Sequence, residues 1–148
     1  MNTDDPYELR RFELAQDKDD MYAKAMSELR AGRKVHHWMW FIFPQIAGLG
    51  SSSMSRAYAI ASLDEARAYL SHPVLGPRLV ECARTLTRLS GLSAREILGS
   101  IDAKKLRSSM TLFASAACDS SAFEDVLDQY FGGVRDPQTD RLLVVEER

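Results

Sequence analysis

The sequence predicts an all-α fold: a compact single-domain bundle of about six to eight short and medium helices, with an irregular aromatic segment (residues 38–43) in the core. Apolar residues recur at intervals of three and four along most of the chain, which is the spacing of one buried helix face. Ser, Asp, Gly and Pro stand at the positions where helices begin and end. With 148 residues, 45% of them hydrophobic, the chain has enough material for one core. We therefore expect one domain over residues 1–148, with frayed ends at 1–4 and 143–148.

The first two helices are predicted from their capping residues. Asp5, with Pro6 next and Glu8 three residues on, predicts a helix start, because a carboxylate accepts from free amides and proline lacks one. Asp17 predicts the start of a second helix, and Gly32 ends it in a left-handed conformation. The buried face of this second helix is expected to consist of Tyr22, Ala25, Met26 and Leu29.

Two more helices follow the aromatic segment. Ser62 and Glu65 form a capping box, and His72-Pro73 ends the helix that they begin. Pro77 fits the first turn of a longer helix that runs to about Ser90. The buried face of the longer helix is expected to consist of Leu79, Cys82, Leu86 and Leu89.

The C-terminal part begins with a short helix and a long one. Ser93 and Glu96 cap the short helix, which stops at Gly99, and Asp102 is the predicted cap of the long one. The buried face of the long helix is expected to consist of Leu106, Met110, Phe113 and Ala117.

The last predicted helix has the clearest division between an apolar and a charged side. It ends at Gly132-Gly133, and Asp136-Pro137 makes a turn before a tail (residues 142–147) that is either ordered or frayed. Its apolar side consists of Phe123, Val126, Leu127, Tyr130 and Phe131.

Composition and charge exclude several classes of protein. The formal net charge is −2 and the pI is about 5.9, so a basic face for nucleic acid is not expected. Two cysteines, Cys82 and Cys118, are too few for a disulfide framework and fit a reducing compartment. The apolar stretches are too short to span a bilayer, and the N-terminus does not resemble a signal peptide. We expect a soluble cytoplasmic protein without a nucleic-acid or membrane partner. Its oligomeric state is left open, because every apolar face can be buried within one chain.

No motif for a metal or an organic cofactor is recognisable. His36, His37 and His72 have no ligand spacing with carboxylates or thiols. The glycine-rich turn at residues 48–53 lacks the lysine and the glycine spacing of a phosphate-binding loop. We therefore predict that the protein has neither a metal nor a cofactor.

The aromatic segment, WMWFIF, has two interpretations. Six consecutive apolar residues belong in a buried centre, so the segment is either plain core or the wall of a pocket. Its polar neighbours His37, Gln45 and the serines at 51–53 are costly beside a dry core unless they are hydrogen-bonded. Polar groups that converge on an aromatic wall are typical of small-molecule pockets.

The pocket hypothesis assigns roles to residues of this segment and its neighbours. Trp38 and Trp40 would stack on a flat ring, and Gln45 would orient the ligand. His37 would be the catalytic acid or base, because histidine titrates near neutral pH.

The predicted helix after residue 102 contributes a second group. Ser109 joins the apolar face, so its hydroxyl either bonds to its own helix or lines a cavity and orients the ligand. Lys105 and Ser108 lie on neighbouring faces, where they are either solvated or meet an anionic group of the ligand. Asp136 and Thr139 are expected to hydrogen-bond within their own turn.

Several long stretches together resemble one bacterial family. They are GRKVHHWMWFIFPQIAGLG, AYLSHPVLGPRL, KLRSSMTLF, LDQYFGG and DPQTDRLL, and the resemblance covers the chain from about Phe12 to Leu142. The chain resembles the family of unknown function DUF1810, whose members are sometimes labelled calpastatin. The resemblance implies a compact helical domain and implies no activity. The calpastatin label conflicts with the composition, because that inhibitor class is disordered.

Two functional hypotheses follow. In the first, the protein binds a small polar metabolite, either a nucleotide or an ADP-ribose-like compound. It then either acts on this ligand as an enzyme or only binds it. In the alternative, the protein is an interaction module without catalytic activity, and the aromatic segment is core or a partner groove. The two differ at His37, since a base in a pocket is dispensable for folding and a core histidine is not.

Overall fold

The computed structural model describes residues 4–147, with side chains to residue 144, and its regular structure is helical. The 3₁₀ turn Lys18–Asp20 joins the first two helices. The helices are α1 (Arg10–Asp17), α2 (Met21–Ala31), α3 (Met39–Ile42), α4 (Ser53–Ala57), α5 (Leu63–Ser71), α6 (Leu75–Thr87), α7 (Ala94–Leu98), α8 (Ser100–Ala116), α9 (Ser121–Phe131) and α10 (Pro137–Glu147). The all-α fold class is confirmed. The described residues form ten α-helices, more than the six to eight predicted. The difference arises because several helices, such as α3, α4 and α7, are only about one turn long.

Capping residues set most of the boundaries. Gly32 ends α2 with a left-handed φ of +73°, as predicted. Ser93 and Glu96 form both hydrogen bonds of the capping box at α7. The hydroxyl of Ser62 accepts from the amide of Glu65 and caps α5. These starts and stops are local, so the nearby sequence is sufficient to specify them.

The N-terminal helix starts later than predicted. Glu8 has a φ of +54°, which interrupts the turn, and α1 begins at Arg10. Asp5 still supplies the cap, because its carboxylate accepts from the amides of Leu9 at 2.7 Å and Arg10 at 3.0 Å.

The predictions that Asp17 and Asp102 cap helices are wrong. Asp17 is the last residue of α1, and α2 begins after Asp20, whose φ of +55° changes the chain direction. The long helix α8 begins directly after Gly99, whose φ is +88°, so Asp102 lies inside its first turn. A glycine in this extended left-handed conformation joins α7 to α8 without a loop between them.

The C-terminal tail is part of a helix. Pro137 is the first residue of α10, and residues 142–147 belong to the same helix. The expected fraying at residues 1–3 and 148 lies outside the described residues.

The corner between α5 and α6 is built on tight contacts. The Nδ1 atom of His72 accepts from the amides of Val74 and Leu75, both at 3.1 Å, so its ring proton resides on Nε2. A Cβ atom at Gly76 would lie 2.1 Å from the carbonyl oxygen of Leu70. Only glycine therefore lets the two helices approach this closely.

The long helix α8 organises the core and contacts α5, α7, α9 and α10. The ring of Phe113 on α8 packs against Tyr69 of α5 at 5.3 Å and Phe123 of α9 at 6.0 Å between centroids. Among the helices of residues 4–147, none combines the length and apolar content needed to traverse a bilayer.

Most of the aromatic segment is core. It enters the interior as the single-turn helix α3 and packs against α1. Trp40 is the exception, because its side chain is only half-buried and borders a surface cleft. The buried members are Trp38, Met39, Phe41, Ile42 and Phe43.

Candidate functional site

A cleft of about 180 Å³ opens at the surface beside Trp40. Three parts of the chain line it: the start of α3, the loop at residues 45–50, and the stretch from the end of α4 to residue 59. Lys105, reaching across from α8, completes the lining. The cleft therefore lies where two irregular loops meet the central helix.

A parallel β-bridge joins the two loop walls. The amide of Ala47 donates to the carbonyl of Ile60 at 2.8 Å, and the amide of Ile60 donates to the carbonyl of Gln45 at 2.8 Å. The two bridge residues, Ile46 and Ile60, are buried in the core. The bridge thus ties the loop at residues 45–50 and the stretch after α4 to the core and to each other.

Arg11 fastens the second wall to α1. Its guanidinium donates to the carbonyls of Ala57 at 2.9 Å and Ala59 at 2.8 Å, and to the carboxylate of Glu65 at 2.9 Å. Tyr58 lies between these two carbonyls, so the same contacts fix its position in the lining. A planar guanidinium can hold several acceptors at once, which lysine cannot do in the same geometry.

The glycine-rich turn closes tightly on α4. A Cβ atom at Gly50 would lie 2.5 Å from the Cβ of Ser55, so a side chain at this position does not fit. The hydroxyl of Ser52 accepts from the amide of Ser55 at 3.1 Å and caps α4. The serines of this turn therefore shape the rim of the cleft.

The lining of the cleft combines aromatic, polar and cationic groups. The Nζ atom of Lys105 lies 5.4 Å from the centroid of the Trp40 ring. Tyr58 and Gln45 are half-buried, and Arg56 is exposed. Among the described residues, the Arg56 guanidinium has no ion-pair partner, so its charge is available to a ligand.

A wider groove of about 380 Å³ continues from the cleft. The two share Gln45, Gly50 and Lys105. Lys104, Arg107 and Ser108 of α8 form one side of the groove, and Asp136 and Gln138 at the start of α10 form the other. Ile101 also lines the groove.

Arg107 is fixed in place at the groove. Its Nε donates to the carbonyl of Val134 at 2.8 Å, and its Nη2 donates to the carbonyl of Arg135 at 2.6 Å. Within residues 4–144 its Nη1 makes no hydrogen bond. The guanidinium is therefore positioned without being neutralised by a direct ion pair.

Asp136 is held through one of its two carboxylate oxygens. Its Oδ2 accepts from the Ser108 hydroxyl at 3.0 Å, and from the Thr139 amide and hydroxyl at 3.1 and 2.5 Å. Burial raises the pKa of Asp136, but the hydrogen bonds from Thr139 and Ser108 outweigh burial, so the pKa lies below its usual range. The predicted hydrogen bonding between Asp136 and Thr139 within their turn is confirmed.

Asp102 connects Lys105 to the loop before α3. Its carboxylate contacts the Nζ of Lys34 at 3.0 Å and the Nζ of Lys105 at 3.7 Å. Lys34 also lies over the Trp38 ring, with 5.2 Å between its Nζ and the ring centroid. The role of Asp102 is thus to pair two cations that lie far apart in sequence.

The loop before α3 is built on Glu28 of α2. One carboxylate oxygen accepts from the amides of Val35 at 2.6 Å and His36 at 2.8 Å, and from the indole N–H of Trp38 at 2.9 Å. The other oxygen contacts the Nδ1 of His36 at 2.6 Å. Burial raises the pKa of Glu28, but these hydrogen bonds outweigh it and hold the pKa at about 2.

The structure brings together three of the six predicted site residues: Trp40, Gln45 and Lys105 line the cleft. Trp38 is 0% exposed, so its ring faces are covered by protein. His37 is exposed but is not part of the lining of the cleft or the groove, because His36 turns toward Glu28 and the next side chain points outward. The predicted stacking on Trp38 is therefore wrong, and the predicted acid or base role of His37 has no geometric support.

Ser109 does neither of the two things expected of it. It is 0% exposed, and its hydroxyl makes no hydrogen bond within the described residues. Ser108, one residue earlier on α8, lines the groove instead. Successive residues of a helix point about 100° apart, so neighbouring serines reach different surroundings.

The sequence patterns did not indicate five further polar or aromatic lining residues: Arg56, Tyr58, Lys104, Arg107 and Asp136. In a helical pattern an isolated charged residue looks solvated, and only the packing brings these side chains to one surface. Among the residues that the structure describes, no three or more His, Cys, Asp or Glu side chains are arranged to hold a metal ion.

Comparison with known proteins gives a family and a related structure. The family described as "Protein of unknown function (DUF1810)" matches residues 6–143, a range that includes the whole lining of the cleft and the groove. The chain is also similar to the crystal structure of the conserved hypothetical protein Rv1873 from Mycobacterium tuberculosis. The two are 50% identical with a TM-score of 0.92, and the match covers 95% of this chain and 99% of that one. A comparison with curated proteins gives no match.

Proposed function

Because the chain belongs to the DUF1810 family, whose description assigns no activity, we propose a function from the site alone. The cleft and the groove together bind a small anionic metabolite that carries a flat ring, of the nucleotide or ADP-ribose-like class. The observation that carries this proposal is the charge of the lining. The two linings contain four cations, Arg56, Lys104, Lys105 and Arg107, and one carboxylate, Asp136, in a chain whose formal net charge is −2. Outside the linings, Asp102 pairs with Lys105 and Lys34.

Such a concentration of positive charge favours an anionic ligand. Charged side chains in a concave surface raise the local concentration of ligands of opposite sign. Arg107 has a free N–H edge, and arginine binds phosphate groups through two parallel hydrogen bonds. Lys104 is exposed on the same side of the groove. The groove is therefore the expected location of the phosphate or other anionic group.

The cleft is the expected location of the ring. Trp40 and Tyr58 both line it, and aromatic side chains bind flat ligands by stacking or edge contacts. Gln45 offers both donors and an acceptor for the polar edge of a base. Together the cleft and the groove fall within the range of about 300–1,000 Å³ that is typical of small-molecule sites.

Lys105 lies where the two compartments join. It contributes to both linings, and its ammonium lies beside the Trp40 ring and near Asp102. A ligand that occupies both compartments must pass this residue. We therefore infer that Lys105 contacts the bond between the ring-bearing part and the anionic part.

The proposal concerns binding and assigns no catalytic residue. His37 lies outside the lining and has no part in it. A cytoplasmic location is also part of the proposal, and the free thiols of Cys82 and Cys118 are compatible with it.

The test is isothermal titration of the full chain with adenosine 5′-monophosphate (AMP), ADP-ribose and uncharged adenosine. We expect the two anionic compounds to bind and adenosine to bind at least about tenfold more weakly, because a hydrogen bond to a charged group is lost. Lys105→Met should weaken the binding of AMP by about tenfold or more, for the same reason. Lys18→Met, which alters an exposed lysine outside both compartments, is the matched control and should bind like the wild type. If neither anionic compound binds, or adenosine binds as tightly, the proposed function is wrong.

A further inference from the structure

We propose that Asp136 is the specificity-determining residue of this site, and that its free carboxylate oxygen accepts a hydrogen bond from a hydroxyl group of the ligand. The site would then select an anion that carries a sugar with free hydroxyls, such as a ribonucleotide, over the same anion without them. This inference rests on the proposed function, and it adds which part of the ligand faces α10.

The geometry fixes one oxygen and leaves the other free. All three donors to Asp136, from Ser108 and Thr139, converge on Oδ2. Within the described residues Oδ1 accepts no hydrogen bond, although Asp136 lines the groove. A partial rotation of the carboxylate would break the contacts on Oδ2, and a half-turn only exchanges two equivalent oxygens. Oδ1 is therefore held as an acceptor without a donor.

Charge decides what this acceptor selects. An ionised carboxylate is an acceptor only, so it favours a hydroxyl or an amine and repels a phosphate. The cations of the groove, Lys104, Lys105 and Arg107, all lie on α8, whereas Asp136 lies at the start of α10, where it contacts Ser108 of α8. A ligand that satisfies both the cations and the free carboxylate oxygen has an anionic group and a hydroxyl donor. A sugar phosphate has this combination.

Helix capping explains the contacts of only one of the two oxygens of the Asp136 carboxylate. Asp136 precedes Pro137, the first residue of α10, and accepts from the amide of Thr139, as an N-cap residue does. That role uses Oδ2 and places no requirement on Oδ1. Asparagine is about as good an N-cap as aspartate. Asp136→Asn therefore keeps the cap and puts an N–H donor where the free acceptor was.

The test compares AMP with 2′,3′-dideoxy-AMP by isothermal titration of the full-length wild type and of Asp136→Asn. We expect the wild type to prefer AMP by about tenfold to a hundredfold, which is the range for a hydrogen bond to a charged group. In Asp136→Asn this preference should fall to about twofold or less, through weaker binding of AMP and not of the dideoxy compound. Asp128→Asn changes an exposed aspartate outside the groove and should retain the full preference.

The outcomes separate this inference from the proposed function. If the wild type binds neither compound, the proposed function fails and the inference fails with it. If it binds both equally, or if Asp136→Asn keeps the preference, the inference alone is overturned. Should Asp136→Asn not fold, Asp136→Ser replaces it, because serine is also a good N-cap and its single oxygen leaves no second acceptor beside the one that takes the Thr139 amide. The preference for AMP should again fall to about twofold or less, because the acceptor for the ligand hydroxyl is gone. An unchanged preference would count against the inference.

Discussion

Replacing Glu28 with glutamine removes the charge from the carboxylate that organises the loop before α3. In the folded protein the pKa of this carboxyl is about 2, against an ordinary value of 4.5. One pKa unit corresponds to about 1.4 kcal/mol, so the ionised form contributes about 3 kcal/mol to the free energy of unfolding at most. His36, one of the donors, is 49% exposed and admits solvent, which screens the site. We therefore expect Glu28→Gln to lower stability by about 2 kcal/mol at pH 7.

The sign of the pH dependence follows from the direction of the pKa change. Because the pKa of Glu28 is lower in the folded than in the unfolded chain, its stabilisation is fully present above pH 4.5 and is lost as the pH falls from 4.5 toward 2. The wild type should therefore lose stability over this window, and Glu28→Gln should lose less. By pH 3 the difference between them should narrow to about 1 kcal/mol or below.

Urea unfolding followed by circular dichroism at 222 nm measures this difference at a series of pH values between 7 and 3. Glu8→Gln, which alters an exposed glutamate, is the control and should stay within about 0.5 kcal/mol of the wild type throughout. If the difference in free energy of unfolding between the wild type and Glu28→Gln is the same at pH 3 as at pH 7, the charge of Glu28 is not the source of the stabilisation.

Four further predictions concern the fold and the charge of the surface. Gly76→Ala should lower the free energy of unfolding in urea by more than about 2 kcal/mol, because its Cβ would meet the Leu70 carbonyl. At Gly91 the added Cβ has open space, so Gly91→Ala should cost only about 1 kcal/mol for its left-handed φ. Equal losses for the two variants would contradict the steric argument. His72→Ala should cost about 1 kcal/mol in the same assay, because two amides at the start of α6 lose their acceptor, and no loss would mean that water replaces it fully. Trp38→Phe should cost about 1–3 kcal/mol, because the buried Glu28 carboxylate loses the indole donor; a loss below about 0.5 kcal/mol would mean that this hydrogen bond is dispensable. Duplex DNA should give no gel shift at physiological salt, or only a weak shift without sequence preference, since the chain has a formal net charge of −2. A shift that depends on sequence and resists salt would refute this.

The boundaries of the helices could be predicted wherever the determinants are local. Gly32 and the pair Ser93 and Glu96 act within one turn, and their roles were predicted from that turn alone. Asp102 could not be predicted in the same way, because its partner Lys34 comes from a distant part of the chain. A capping rule considers only the residues next to Asp102 in sequence, so it does not predict the ion pair with Lys34.

The candidate site could be predicted only at the level of residue types. Trp38 and Trp40 look equivalent in the sequence, but the first donates its N–H to Glu28 in the interior and the second borders the cleft. Which of the two tryptophans faces the interior depends on how α3 is rotated against α1 and α2, and no local pattern specifies this rotation. The same limit applies to Ser108 and Ser109, whose separation depends on the orientation of α8.

The two free cysteines differ in a way that is useful for spectroscopy. Burial raises the pKa of the Cys82 thiol to about 12, and its Sγ contacts the Met26 sulfur at 3.5 Å, so at neutral pH it is neither ionised nor accessible to a reagent. Cys118 is exposed, and its surroundings share no residue with the cleft or the groove. A maleimide dye should therefore attach at one known position of the unaltered chain. Binding of a nucleotide could then be followed by the change in fluorescence anisotropy of the labelled protein, or by energy transfer to a labelled nucleotide, without introducing or removing any residue.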